Sequence, residues 1–125
     1  MHIDYIKMHG TGNRILVVDQ REQNLLPPDA ATLRQLANAA TGPGFDQLMW
    51  VGPASNPAMD ASYRVFNADG SEVEQCGNGV RCVVRMLADR QDDKQRFLLE
   101  SPAGPVEAER LDDGRVRVNM GAPEF

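Results

Sequence analysis

Residues 74–90 read EQCGNGVRCVVRMLADR, and the fold turns on how this stretch is read. From Gly77 to about Arg90, Val80, Val83, Val84 and Leu87 fall at i, i+3, i+4 and i+7, and Met86 widens the stripe. The spacing predicts a helix with an apolar face turned to a core. Directly before it stands Cys76, and two glycines open it. A helix start leaves backbone N–H groups without intrahelical partners and carries partial positive charge, so an anion placed there is stabilised. A thiol in that position ionises more readily than at its usual pKa of about 8.5. Gly77 and Gly79 offer no side chain to block a ligand's approach to those amides, and Asn78 adds a side-chain donor. Two readings stay open on physics alone. Cys76 is a reactive thiolate held beside an anionic group, or it is a small buried thiol next to a tight turn.

Cys82 lies within the same helical pattern, away from the terminal amides, and reads as a small packed hydrophobe. A Cys76–Cys82 disulfide is excluded by geometry. Six helical residues separate the two by about 9 Å along the axis and about 240° around it, whereas a bridge needs Cα atoms within about 7 Å. With two cysteines, no CxxC and only His2 and His9 as histidines, no metal site is expected.

Outward from this helix the chain alternates between short elements. Ile3 to Met8 reads as a strand, followed by the turn-rich His9-Gly10-Thr11-Gly12-Asn13. The run Ile15-Leu16-Val17-Val18 suits a buried strand. Pro27-Pro28-Asp29 opens a helix carrying Leu33, Leu36, Ala37 and Ala40 on one face, which Thr41-Gly42-Pro43-Gly44 ends. Phe45 to Val51 and Ala61 to Asn67 read as strands, with Gly52 to Met59 a loop and Ala68-Asp69-Gly70 a turn. After the long helix come a strand over Phe97 to Ser101 and a hairpin of Val106 to Leu111 and Arg115 to Asn119 around Asp112-Asp113-Gly114. The order ββ-α-ββ-α-βββ favours an α+β domain, a curved antiparallel sheet packed on a helix, over a doubly wound parallel sheet.

The 125 residues suffice for one domain. A composition 42% hydrophobic and 25% charged is ordinary for a globular protein. The net charge of −5, with no basic cluster, argues against a nucleic-acid partner. No apolar run approaches the roughly 18 residues that span a bilayer, and MHIDYIKMHG has neither a basic leader nor an apolar stretch. The expectation is a cytoplasmic protein without a membrane partner.

Three segments place carboxamides next to turns: Asn13 after HGTG, Gln47 after GFD, and Asn67 before ADG. Asn and Gln offer donors and acceptors without charge, which suits a zwitterionic amino acid. The plainer reading is that such residues favour turns by bonding their own backbone.

HGTGN at 9–13, GPGFDQL at 42–48, FNADGSEVEQCGNGVRC at 66–82 and VRVNMGAPEF at 116–125 together resemble diaminopimelate epimerase. The resemblance implies a fold of two similar halves, each a strongly curved, mainly antiparallel sheet wrapped around a central helix, with the active site between them. It implies an isomerase of lysine and peptidoglycan-precursor biosynthesis that interconverts LL- and meso-diaminopimelate without pyridoxal phosphate or any other cofactor. Cys76 matches one of that family's two catalytic cysteines. Asn13, Gln47 and Asn67 match substrate-contacting positions, and Gly77 and Asn78 match the loop that holds the carboxylate of the reacting end. One cysteine, as thiolate, removes the α-proton while the other, as thiol, returns a proton to the opposite face.

On this reading residues 1–125 form the N-terminal domain, and the C-terminal domain with the second cysteine is absent, so the chain is incomplete and inactive alone. A homodimer is a possible partner state, since the family dimerises. Arg14 departs from the family, which usually carries an acidic residue there. Strand alternation is expected to turn Arg14 away from the substrate, towards an acidic neighbour or solvent. The alternatives are a non-catalytic domain that binds an amino acid or a protein, and half of a related amino-acid racemase such as a proline racemase.

Overall fold

A computed structural model describes residues 5–9, 13–22, 26–73, 77–90, 95–102, 104–111 and 115–119. Within them the order is β1 (Tyr5–His9), β2 (Arg14–Asp19), α1 (Ala30–Ala37), β3 (Gln47–Gly52), β4 (Ala61–Asn67), β5 (Glu72–Val73), α2 (Gly77–Arg90), β6 (Arg96–Ser101), β7 (Gly104–Arg110) and β8 (Val116–Asn119). All strands join one sheet in the order β1-β2-β3-β4-β6-β7-β8, with β5 paired to β4.

The pairings are antiparallel except β2–β3 and β4–β6. A parallel pair needs a crossover, and α1 and α2 supply the two. Both crossovers step across the sheet in the same direction, but β4 and β6 run opposite to β2 and β3. Two crossovers of the same hand must then lie on opposite faces, as the strong preference for right-handed connections requires.

The core is divided accordingly. Ile15 and Val17 of β2, Met49 and Val51 of β3, and Tyr63 and Val65 of β4 pack with α2. Their even-numbered neighbours Leu16, Val18, Leu48, Trp50 and Phe66 pack with Leu33 and Ala37 of α1. These strands are buried on both faces, which explains the unbroken apolar run in β2.

Helix α2 touches β2 and β3 as well as β7 and β8. Laid flat, β2 to β8 would extend about 24 Å, twice the helix diameter of about 10–12 Å. The sheet therefore curls around α2, and the central helix implied by the resemblance is present. Its hydrophobic residues Val80, Cys82, Val83, Val84, Met86, Leu87 and Ala88 are buried. Arg81, Arg85 and Asp89, one row at i, i+4 and i+8, are exposed. The apolar surface is wider than the stripe read from the sequence because strands reach this helix from several sides.

Local differences from expectation have local causes. Helix α1 ends at Ala37 rather than Ala40. Asn38 is extended (φ −83°, ψ 119°), and its Oδ1 accepts from the Ala40 amide at 2.9 Å, a bond that competes with helix continuation. The two-residue β5 has no periodicity to reveal it. It is held to β4 by Glu72, which pairs in a two-bond fork with Arg64, both contacts 2.8 Å. The loop after β3 is fastened to β6 by Glu100, which accepts from Ser55 Oγ and the Asn56 amide, each at 2.8 Å. Residues 112–114, the expected hairpin turn, lie outside the described residues, but β7 and β8 pair as that hairpin requires.

Candidate functional site

Gln47 opens β3 and Asn67 closes β4, and the antiparallel register sets them directly opposite each other. Gln47 Nε2 donates to Asn67 Oδ1 at 3.4 Å. Asn13 stands immediately before β2. Ile15 is the partner of Gln47, so alternation places Asn13 on the same face, the one that packs α2. All three carboxamide residues are half-buried. Because β6 runs parallel to β4, the crossover helix α2 must start towards the end of the sheet where β4 closes. Val73 lies beside Val65, and three residues separate it from Gly77, so the helix start lies within about 15 Å of Val73. The topology thus gathers Asn13, Gln47, Asn67 and the first turn of α2, segments more than sixty residues apart in sequence.

The first turn of α2 contains no acidic residue. Gly77 and Asn78 are its first two residues. Cys76, with Glu74 and Gln75, lies outside the described residues, as do the Gly10-Thr11-Gly12 turn and the side chain of Asn78. Cys82 is buried in the α2 core as an unbridged thiol, consistent with a packing role.

Residues 67–71 form a turn that closes on itself. The Asn67 amide donates to the Ser71 carbonyl at 2.8 Å, and the Gly70 amide to the Asn67 carbonyl at 2.9 Å. Asp69 Oδ1 accepts from Ser71 Oγ at 2.6 Å and from the Ser71 amide at 2.9 Å. These bonds, the hydroxyl first, hold the Asp69 carboxyl below its ordinary value. Gly70 has φ +88°, and a Cβ there would lie 2.6 Å from the Ala30 carbonyl oxygen at the start of α1. Only glycine fits both the backbone conformation and the gap.

Asp46 is the residue that sequence reasoning passed over. Its Oδ2 accepts from the Arg14 amide at 2.8 Å and its Oδ1 from the Arg14 guanidinium at 3.4 Å. Its own amide donates to the Arg14 carbonyl at 2.9 Å, and its carbonyl accepts from the Ala68 amide at 3.1 Å. One residue therefore ties together the starts of β2 and β3 and the end of β4, the three places that carry the carboxamides. The Arg14 amide, then its side chain, lowers the Asp46 pKa. An aspartate directly before a strand is a sequence cue for backbone bonding, but its partner 32 residues away has no local signature. Arg14 shares strand parity with Leu16 and Val18, on the face opposite Asn13 and Gln47, and pairs with an acidic neighbour as expected.

Among the described residues, no three His, Cys, Asp or Glu side chains gather as a metal site, and no helix is long and apolar enough to cross a membrane.

The family model described as diaminopimelate epimerase matches residues 5–125. Diaminopimelate epimerase of Acinetobacter baumannii (strain AYE) is 48% identical over 126 residues, which cover 100% of this chain and 44% of that protein. The Pseudomonas fluorescens enzyme of the same name is 45% identical over 128 residues, covering 100% and 45%. The chain thus spans less than half the length of these curated relatives.

Among solved structures, a probable proline racemase from Agrobacterium radiobacter K84 superposes with a TM-score of 0.73 at 21% identity, covering 95% of this chain and 42% of that one. A hydroxyproline epimerase from Agrobacterium vitis gives 0.71 at 18%, covering 94% and 41%. At these identities the likeness is one of fold. The matched family model, spanning nearly every residue and both carboxamide-bearing strands, leads to one conclusion: the chain belongs to the diaminopimelate epimerase family.

Proposed function

We propose that this chain supplies one wall of an epimerase site that inverts an α-carbon of diaminopimelate, a step in lysine and peptidoglycan-precursor biosynthesis. The observation that carries this reading is the pairing of Gln47 with Asn67 at the end of the sheet where α2 begins. Neutral amides there suit a substrate bearing both ammonium and carboxylate groups. The N–H groups of Gly77 and Asn78, with the helix dipole behind them, would receive the α-carboxylate and stabilise the negative charge that develops as the α-proton leaves.

Cys76 is assigned the proton transfer on one face of the α-carbon, as thiolate in one direction and thiol in the other. Inversion needs a second group on the opposite face. Cys82 is enclosed in the core and cannot serve, so the second group is assigned to a further half of the protein, such as the extra length of the relatives would provide. No cofactor is assigned, since the two thiols and the preorganised amides carry the reaction.

The test is solvent deuterium uptake at the α-carbon of LL-diaminopimelate, followed by NMR. Residues 1–125 by themselves should show no uptake above a Cys76→Ala control. Uptake should appear when the remaining half is supplied, and Cys76→Ala should abolish it. Uptake by residues 1–125 alone, or full activity of the complete protein carrying Cys76→Ala, would overturn the assignment.

A further inference from the structure

The polarity of the two carboxamides can be traced to a carboxylate outside the pair. We propose that Ser71, held by Asp69, is a positioning residue that fixes which way the Asn67 carboxamide faces, and through it the Gln47 carboxamide. This deepens the reading of these amides as substrate contacts and rests on it for its functional meaning.

The argument follows a single proton. An ionised carboxylate only accepts hydrogen bonds. Ser71 Oγ lies 2.6 Å from Asp69 Oδ1, in the range of a charge-assisted O–H···O⁻ bond. The one hydroxyl proton of Ser71 is therefore committed to Asp69, and the serine can present only lone pairs to Asn67. The Asn67 atom that faces Ser71 must be a donor, and Asn67 Nδ2 lies 3.4 Å from Ser71 Oγ. This turns Asn67 Oδ1, an acceptor, towards Gln47, whose facing atom must in turn be a donor. Gln47 Nε2 is 3.4 Å away.

The order acceptor, hydroxyl, amide, amide thus runs one way from Asp69, and reversing either amide would set two donors or two acceptors face to face. The lowered pKa of Asp69 keeps the carboxylate ionised over the range in which the relay is needed. The two amide contacts are long, and catalytic hydrogen bonds of this kind tighten when a ligand closes the site. Ser71 and Asp69 are exposed, and Ser71 packs in neither core, so its replacement leaves the fold in place.

The experiment compares 15N-labelled chains carrying Ser71→Ala and Ser71→Thr with the unaltered sequence. The readouts are the side-chain NH2 resonances of Asn67 and Gln47, first alone and then with added LL-diaminopimelate. Ser71→Ala should move the Asn67 NH2 pair towards the shifts of a freely rotating carboxamide and weaken the response to diaminopimelate about fivefold to tenfold, the scale of one neutral hydrogen bond. Ser71→Thr, which keeps the hydroxyl, should restore both.

An Asn67 NH2 pair unchanged by Ser71→Ala overturns the positioning role, whatever the amides do with ligand. An Asn67 pair that responds to Ser71→Ala, with neither carboxamide of the unaltered chain responding to diaminopimelate when the remaining half is supplied, upholds the relay and overturns these amides as substrate contacts. Failure of Ser71→Thr to restore the signal places the effect in backbone packing and overturns the proposal as well.

Discussion

The two crossover helices solve the same topological problem and end in different chemistry. Helix α1 has eight residues, lies against β2, β3 and β4 on one face of the sheet, and leaves most of its surface in water. Its N-terminus is occupied by its own chain: Asp29 Oδ1 accepts from the Thr32 amide at 2.8 Å, a standard N-cap. Helix α2 has fourteen residues, sits inside the curl of the sheet, and brings no acidic residue to its first turn. A carboxylate of its own chain caps the positive end of α1, whereas the first turn of α2 carries glycines and no acidic residue. The helix that is structurally central is thus also the one to which the proposed carboxylate contact is assigned.

The contrast can be broken most directly in the core. Leu87→Ala on α2 should cost about 4 kcal/mol and Leu33→Ala on α1 about 3 kcal/mol, within the range for buried leucine truncations. Leu87 is enclosed by a sheet on several sides, so its cavity collapses less. Urea denaturation of both variants checks this, and equal costs would mean that α1 is as central as α2. Gly70→Ala should be next, at about 2 kcal/mol or more, since it combines a left-handed backbone with a contact against Ala30 backbone atoms. Its loss should loosen the seat of α1 and spare α2, which hydrogen exchange of the α2 amides would reveal.

Glu72→Gln should cost less, about 0.5 kcal/mol, because the Arg64–Glu72 fork is partly exposed, 45% and 35% by side chain, and such pairs contribute little. Arg64 also lies over the Phe66 ring, 5.3 Å from its centre, a contact that survives the substitution. A loss much larger than this would make the fork an essential anchor of β5, and thereby of the approach to α2.

The smallest effects are those of pH. Asp29 and Asp46 are lowered from the ordinary aspartate value of 3.8, each chiefly by a backbone amide. Glu72 and Glu100 are lowered from 4.5, by Arg64 and by the Asn56 amide respectively. A carboxylate whose folded pKa lies below its unfolded value adds stability that is complete above the unfolded value and is lost as pH falls through the folded one. The melting temperature should therefore be level from neutral pH to about 5 and fall below about 4. Asp29→Asn keeps a capping acceptor but does not titrate, so it should lower the neutral-pH value slightly and flatten part of that fall. An unchanged acid slope would mean that the α1 cap contributes nothing to acid sensitivity.

Much of this was legible in the chain. The periodicity of Val80, Val83, Val84 and Leu87 marks α2 to its observed ends, and Pro27-Pro28-Asp29 marks the capped start of α1. Alternation along β4 separates Tyr63 and Val65 on one face from Phe66 on the other, because side-chain direction in a strand follows from position alone. The early end of α1 at Asn38 was less legible, since a side chain bonding its own backbone competes with helix by a small margin. The parallel joints β2–β3 and β4–β6 were not legible, because strand direction within a sheet is decided by where a crossover returns.

The candidate site divides along the same line. Sequence by itself singled out the residues to which the chemistry is assigned here as a proposal: the carboxamides Asn13, Gln47 and Asn67, and a glycine-flanked helix start after Cys76. Their residue types are local properties, and the motifs around them are specific to one family. Tertiary structure alone decided that Gln47 faces Asn67 and that Asp46 joins three strand ends through Arg14 and Ala68. Those facts depend on register between segments 20 to 54 residues apart, which is fixed by burial of two apolar faces at once and leaves no trace in any one segment.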